Sequence, residues 1–466
     1  MSGFDYDIVI AGGGLVGASL AVALRGSGYR VAVVEPVPPQ AESQPSFDDR
    51  QTALAPTSRR FFENLGLWEA IEAGASPIRR IHVSDRGHGG FTRLDAAEEG
   101  LPALGHVAPN RVLGAVLAPA MAEAADVFCP ARITQTHPVM EPAEAGSDPD
   151  AARAPADDPA GHATSSPAET QAVARQVVIE TESGPQTVST RLLVVADGMR
   201  STTREALGVG LDERDYGQSA IIANLRTQYP HHGTAYERFT PDGPLAVLPA
   251  GEDAASLVWT LPHDEAQAAA TQWSETAFLQ ALQSAFGWRL GRLEAVGKRQ
   301  VYPLWAVTAD QFCAQRAVIM GNAAHALHPV AGQGLNLALR DVAGLVEALG
   351  GGRPLGKAGE TDDACRPAET GELGPPAEAD GSAGPADPGD PDRLAAYARS
   401  RRSDYRRTFT FTDGLVRVFS NEFLPLVAAR NVGLTLLDLF PPARRALLKQ
   451  ATGAAGDVPE LCRDPV

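Results

Sequence analysis

A mostly apolar six-residue run, a glycine turn and a run of alanine and leucine stand near the start of the chain. Tyr6–Ala11 (YDIVIA) has strand character, residues 12–17 (GGGLVG) make the turn, and the stretch to about Ser27 predicts a helix. Residues 30–35 (RVAVVE) return to strand character and end in an acid, giving a βαβ opening within about 30 residues. Residues 52–72 and 110–125 predict helices, and 176–182 and 191–196 predict strands. The pattern then changes. Residues 220–225, 234–239, 245–248 and 256–261 are β-rich and divided by Pro-Asp-Gly and Gly-Glu-Asp turns, which predicts a mostly antiparallel sheet. A helix near 275–285, a strand at 317–320 and a helix starting near 333–335 follow. From Leu394 the chain reads as helical: 396–417 is rich in arginine, 423–439 is apolar on more than one face, and Phe440-Pro441-Pro442 stops it.

Charge qualifies this picture. The formal net charge is −17, but residues 141–175 hold seven acids and two bases, and residues 351–393 ten acids and four bases. These two Ala/Pro/Gly-rich segments carry most of the excess and cannot bury enough surface to offset their ordering entropy, so they read as surface insertions. An acidic chain speaks against nucleic acid as a partner. Cys129, Cys313, Cys365 and Cys462 are far apart with no CxxC spacing, which argues against a zinc site or disulfide framework and suits a reducing cytoplasm. No signal-peptide pattern and no apolar span of about 18 residues is read.

Three segments carry candidate chemistry. In the first turn Gly12 permits the bend, Gly14 lets a pyrophosphate approach, and Gly17 lets helix and strand pack closely. Glu35, 18 residues after Gly17, suits ribose hydroxyls and disfavours a 2′-phosphate. Asp197, in 191–201 (RLLVVADGMRS), suits a ribityl chain or caps its own Asp-Gly turn. Residues 321–341 (GNAAHALHPVAGQGLNLALRD) deliver a strand into a Pro/Gly-rich bend and then a helix. Glycines there let the backbone lie against a flat ligand, and the helix start offers N–H groups to an electron-rich edge. Asn322 suits a ribityl hydroxyl or a phosphate, while Asn336 suits a flavin contact or a helix cap. Arg50 either faces a cofactor or pairs with Asp48 or Asp49. His325 and His328 lack metal-site company, so no metal is expected.

Taken together, 47–54 (FDDRQTAL) with Gly66-Leu67-Trp68, 235–239 (AYERF), 243–249 (GPLAVLP), 321–341, 412–421 and 429–434 resemble the group A flavin aromatic hydroxylases. The likeness is closest to the UbiH/VisC-type ubiquinone-biosynthesis branch, especially its 2-polyprenyl-6-methoxyphenol hydroxylases. The resemblance implies an α/β fold: a Rossmann-like FAD-binding domain (1–80, 100–210, 300–345), a β-rich, mostly antiparallel substrate domain (81–99, 211–299) and a helical C-terminal region (394–466). It implies FAD held by Gly12, Gly14, Leu15, Val16, Gly17, Glu35, Arg50, Asp197, Gly321, Asn322, Pro329, Gly332, Gly334, Leu335 and Asn336. NAD(P)H and O2 are then co-substrates, and a polyprenyl phenol is the substrate. The absence of a second Gly-x-Gly-x-x-Gly suits a hydroxylase with one dinucleotide domain. Tyr216, Tyr236 and His325 are candidates for proton handling. A cytoplasmic location with peripheral inner-membrane contact, and a ubiquinone-biosynthesis enzyme complex, follow as expected partners. Another aromatic hydroxylase, a prenyl-chain reductase or a flavin-free prenyl-lipid binding protein are the competing readings.

Overall fold

The computed structural model describes residues 3–40, 44, 46–48, 50–140, 172–350, 385–419 and 423–464. Most of both acidic insertions, with Cys365 and Asp49, lies outside the described residues. The described ends of the insertions are regular: the strand Ala172–Thr181 begins within the first, and the helix Pro391–Phe419 within the second.

The opening βαβ pattern builds an eight-stranded sheet. Ala317–Ile319, Gly184–Val195, Tyr6–Ala11, Val31–Val34 and Asp126–Phe128 lie side by side in parallel. Ala131–Met140 and Ala172–Thr181 extend it as an antiparallel meander onto Gly184–Val195. The helix after the first turn is Leu15–Ala23, four residues shorter than its composition suggested. Ile8, Ile10, Leu20, Val33, Leu192 and Leu339 are fully buried together, so the helices Leu15–Ala23 and Gln333–Ala348 share one core beneath the sheet.

Residues 52–72 are a correction. Gln51–Leu54 is a strand paired with Gly105–Pro109 in a small three-stranded sheet that also holds Ser76–Ile78. Pro56 forces Ala55 to be extended and starts a helix only there. That helix, Pro56–Asn64, is separated from Trp68–Glu72 by Gly66 at φ 72°.

The β-rich segments form a nine-stranded sheet, antiparallel except that Thr234–Thr240 runs parallel to Arg80–Asp85. Gln300–Ala309 pairs with Leu211–Thr227 in this sheet, past the boundary at residue 299 read from sequence. Alternation along the strands separates two faces. Ile221, Leu245, Val247, Leu257 and Trp259 are buried under Phe278, Leu282 and Phe286 of the helix Glu275–Phe286. On the other face Val83, Ala246, Val258 and Ile222 are only half-buried. This inner face meets the 321–336 segment: Phe239 and Val330 share an apolar cluster with Val416, Phe419 and Leu434.

Three helices complete the chain: Pro391–Phe419, Leu424–Leu439 and Pro441–Ala451. Proline at its start makes the last a helix in its own right, where the sequence suggested only a stop.

Candidate functional site

Ala11 lies opposite Val195 in the parallel pair, so both strands release the chain at one edge of the sheet. Gly12 turns there at φ 96°, and a Cβ on it would lie 2.6 Å from the Ala196 carbonyl oxygen; a Cβ on Gly17 would lie 1.9 Å from the Gly12 oxygen. Those two approaches require glycine. The helix Leu15–Ala23 starts at Gly14 without a side-chain cap, and Asp197 Oδ1, at the same edge, is buried without a hydrogen-bond partner. Glu35 is fixed by three donors: Gly13 N at 2.6 Å, Val37 N at 3.0 Å and Gln44 Nε2 at 3.2 Å.

The second turn meets the first. Gly321 takes φ 58° and its missing Cβ would lie 3.1 Å from Val16 Cγ2. Ala331 and Gly332 are both left-handed, and a Cβ on Gly332 would lie 2.9 Å from that of Ala53. The helix Gln333–Ala348 then starts with no side-chain cap, and open space faces the missing Cβ of Gly334. Gly14, Leu15, Val16, Pro329, Gly332, Gly334 and Leu335 are half-buried and Asn322 is exposed, so both turns stay accessible where they approach each other.

Asn336 acts on the protein itself. Its Oδ1 accepts from Ala55 N at 2.8 Å and Ser58 Oγ at 2.7 Å, and its Nδ2 donates to the Ala53 and Gly332 oxygens. All four hydrogen-bonding positions of the amide are used, so the side chain pins the 53–58 segment to the helix start and leaves only its backbone for a ligand. Arg50 pairs with Asp48 at 2.6 Å, the second of its two readings, and its guanidinium lies over the Tyr302 ring, 5.1 Å from the centroid.

The structure separates the three proton-handling candidates. His325 is buried and bonds Asp341 at 2.6 Å; Asp341 in turn accepts from Arg401 at 2.8 Å. Asp404 joins Arg401 at 2.6 Å to Arg340 at 2.8 Å. Burial would raise the Asp341 carboxyl, yet the His325 and Arg401 charges hold it below its ordinary value. His325 is thus part of a charged seam joining Gln333–Ala348 to Pro391–Phe419. Arg401, from the arginine-rich stretch 396–417, is buried in that seam. Tyr236 is also displaced from its expected role. Its ring packs edge-on against Phe286, on the face of the sheet turned away from the 321–336 segment. Tyr216 lies edge-on to His328 with centroids 5.1 Å apart, and its hydroxyl donates to Asp413 at 3.4 Å. Burial pushes His328 down to about 4, so the ring is neutral at pH 7, and its Nε2 has no partner.

Sequence reasoning missed Glu237. It lies on the inner face beside Val83 and Ala246, its Oε1 buried and unpartnered. Its signal was its place in an alternating strand, next to a tyrosine that faces the other way.

The sequence profile of the family described as FAD binding domain matches residues 5–353. The chain belongs to this family. Among its relatives, the ubiquinone hydroxylase UbiL of Rhodospirillum rubrum is 33% identical over 97% of this chain and 91% of that protein. The 3-demethoxyubiquinol 3-hydroxylase of Escherichia coli is 30% identical over 97% of this chain and 100% of that protein. The p-nitrophenol 4-monooxygenase PnpA of Pseudomonas putida shares the fold of this FAD binding domain chain, with a TM-score of 0.66 at 16% identity over 96% of this chain and 98% of that one.

Proposed function

We propose that this chain is an FAD-dependent monooxygenase that hydroxylates the ring of a polyprenyl phenol in ubiquinone biosynthesis, with NAD(P)H and O2 as co-substrates. The observation that carries the reading is the meeting of two glycine turns, Gly321 against Val16, in a chain whose relatives are ubiquinone hydroxylases. An uncapped helix start beside an orphaned carboxylate oxygen of Asp197 fits a ligand that bears both a diphosphate and hydroxyl groups. In this reading Gly12, Gly14, Leu15, Val16 and Gly17 hold the diphosphate, and Glu35 accepts from the adenosine ribose. Asp197 and Asn322 serve the ribityl chain. Pro329 and the backbone of Gly332, Gly334, Leu335 and Asn336 face the flavin ring, with Arg50 at its side.

Bound FAD supplies the activated oxygen that no side chain can provide. The protein orients the phenol and excludes water from the reacting centre. The half-buried apolar floor of Val83, Ala246, Val258 and Ile222 suits an aromatic ring with a hydrocarbon tail. Among the described residues no single helix is long and apolar enough to cross a membrane. The helix Leu424–Leu439 nevertheless exposes Leu424, Val432, Leu436 and Leu439, which supports contact with the bilayer surface where a prenylated substrate resides.

The test is NAD(P)H oxidation by the purified, FAD-loaded protein with a prenylated phenol. Stimulated oxidation with a product one oxygen atom heavier is expected. Oxidation that the phenol does not stimulate, or a saturated prenyl chain as product, contradicts the reading.

A further inference from the structure

The inner face of the nine-stranded sheet carries one carboxyl in a row of apolar residues; Ser256 and Thr260, on either side of Val258 on that face, add buried hydroxyls that also lack partners. In register across it lie Val83, Glu237, Ala246, Val258 and Ile222 on five neighbouring strands. The four apolar members are half-buried and form a floor. Glu237 places a carboxyl in that floor, and its Oε1 is buried with no hydrogen-bond partner.

The residues on either side of Glu237 fix where it looks. Phe239, two positions on and on the same face, shares a cluster with Val330. Ala235, two positions before, shares a cluster with Ala53, and Ala53 is the residue a Cβ on Gly332 would strike. Glu237 therefore lies on the sheet face turned toward the turn 330–332, which leads into the helix proposed to meet the flavin. Acids on the elements packed against this face are already engaged: Asp85 bonds Arg430 at 2.8 Å, and Asp413 pairs with Arg214. On its own strand, Arg238 turns to the opposite face and donates to the Ala285 oxygen. Among the described residues no side chain neutralises or bonds Oε1, an arrangement that costs stability unless a ligand completes it.

We infer that Glu237 is a catalytic residue that accepts the proton of the substrate's phenolic hydroxyl. The phenol O–H bond breaks, the proton passes to a carboxylate oxygen of Glu237, and the electron pair stays on the phenolic oxygen, making the ring a stronger nucleophile. No electron is gained or lost by the protein in this step. Burial alone moves the carboxyl up to about 7, which suits a base working near neutrality. The inference rests on the phenol-hydroxylase reading above.

The test uses the FAD-loaded protein and 2-farnesyl-4-nitrophenol, whose ionisation is visible in difference absorbance. In the wild type the carboxylate and the bound phenol share one proton. The bound probe should therefore ionise at a pH at least about one unit higher than it does on Glu237→Gln, where the neighbouring charge is gone. Product formation by Glu237→Gln should fall about 10²–10⁴-fold, with part of the loss restored in Glu237→Asp. FAD content should be unchanged, and the melting temperature of Glu237→Gln should equal or exceed that of the wild type, because a buried unpaired charge is removed. The same ionisation pH on both proteins, or undiminished product from Glu237→Gln, overturns the assignment alone. A probe that fails to bind the wild type overturns the phenol reading and the assignment with it.

Discussion

Asn336 shows how a residue in a cofactor-type segment can serve the chain rather than the ligand. Its four bonds hold Ala53, Ala55, Ser58 and Gly332 around the helix start. Asn336→Ala leaves a buried N–H and buried carbonyls unpaired, so it should lower stability by about 2–4 kcal/mol, measured by urea unfolding. A change below about 0.5 kcal/mol, the scale of ordinary surface substitutions, would contradict that role. Residue chemistry also marks where sequence reading ran out. Period-two alternation separates Tyr236 from Glu237 but does not say which of them faces the 321–336 segment. That depends on the helix Glu275–Phe286 covering one face, a tertiary fact. His325 was ambiguous for the same reason, since its partner Asp341 and the Arg401 that donates to Asp341 come from two helices divided by an insertion. The glycines were legible because steric need shows in the residue itself: at Gly12, Gly17 and Gly332 a single added carbon would meet another atom closer than van der Waals contact allows.

At the scale of elements, the charged seam explains how the tail stays docked across the second insertion. Arg340, Arg401 and Asp404 are each nearly inaccessible to solvent, so their charges compensate one another in place of water. Asp404→Asn leaves the buried Arg340 without its carboxylate and Arg401 with Asp341 alone, and should destabilise the protein by about 3–5 kcal/mol, read as a lower unfolding midpoint. An unchanged midpoint would show that the seam is not needed to hold Pro391–Phe419. Burial opposes ionisation of Asp404, but the Arg340 and Arg401 charges hold its carboxyl below the ordinary 3.8. Its contribution is therefore present above that pH and is lost as the pH falls through the lower folded value. The elements themselves were largely legible where apolar runs were long or glycine-bounded, as in Tyr6–Ala11, Asn110–Ala124 and Gln333–Ala348. Gln51–Leu54 was not, because a four-residue strand beside a helix start carries too few positions to show its period.

For the whole molecule, burial lowers three histidines, His82, His106 and His328, from 6.5 to about 4. Between those values the unfolded chain binds protons that the folded chain refuses, so stability should fall as the pH drops from about 6.5 toward 4. A melting temperature that stays level or rises over that range would contradict their neutral, buried state. The apolar face of Leu424–Leu439 offers a second test. Leu436→Asp with Leu439→Asp should cut co-sedimentation with anionic liposomes at least about tenfold, the scale of withdrawing one or two leucines from an apolar phase. Equal binding would remove that helix as a membrane contact. The meeting of the two glycine turns is the claim on which cofactor, chemistry and substrate all depend, and bound flavin per chain tests it most directly. Visible absorbance of the purified wild type should give close to one FAD per chain, and Gly14→Val, whose first added carbon would crowd Ser46 Oγ at 2.8 Å beside the helix start proposed to meet the diphosphate, should give less than about one tenth of that. A colourless wild type, or a Gly14→Val protein as yellow as its parent, would contradict it.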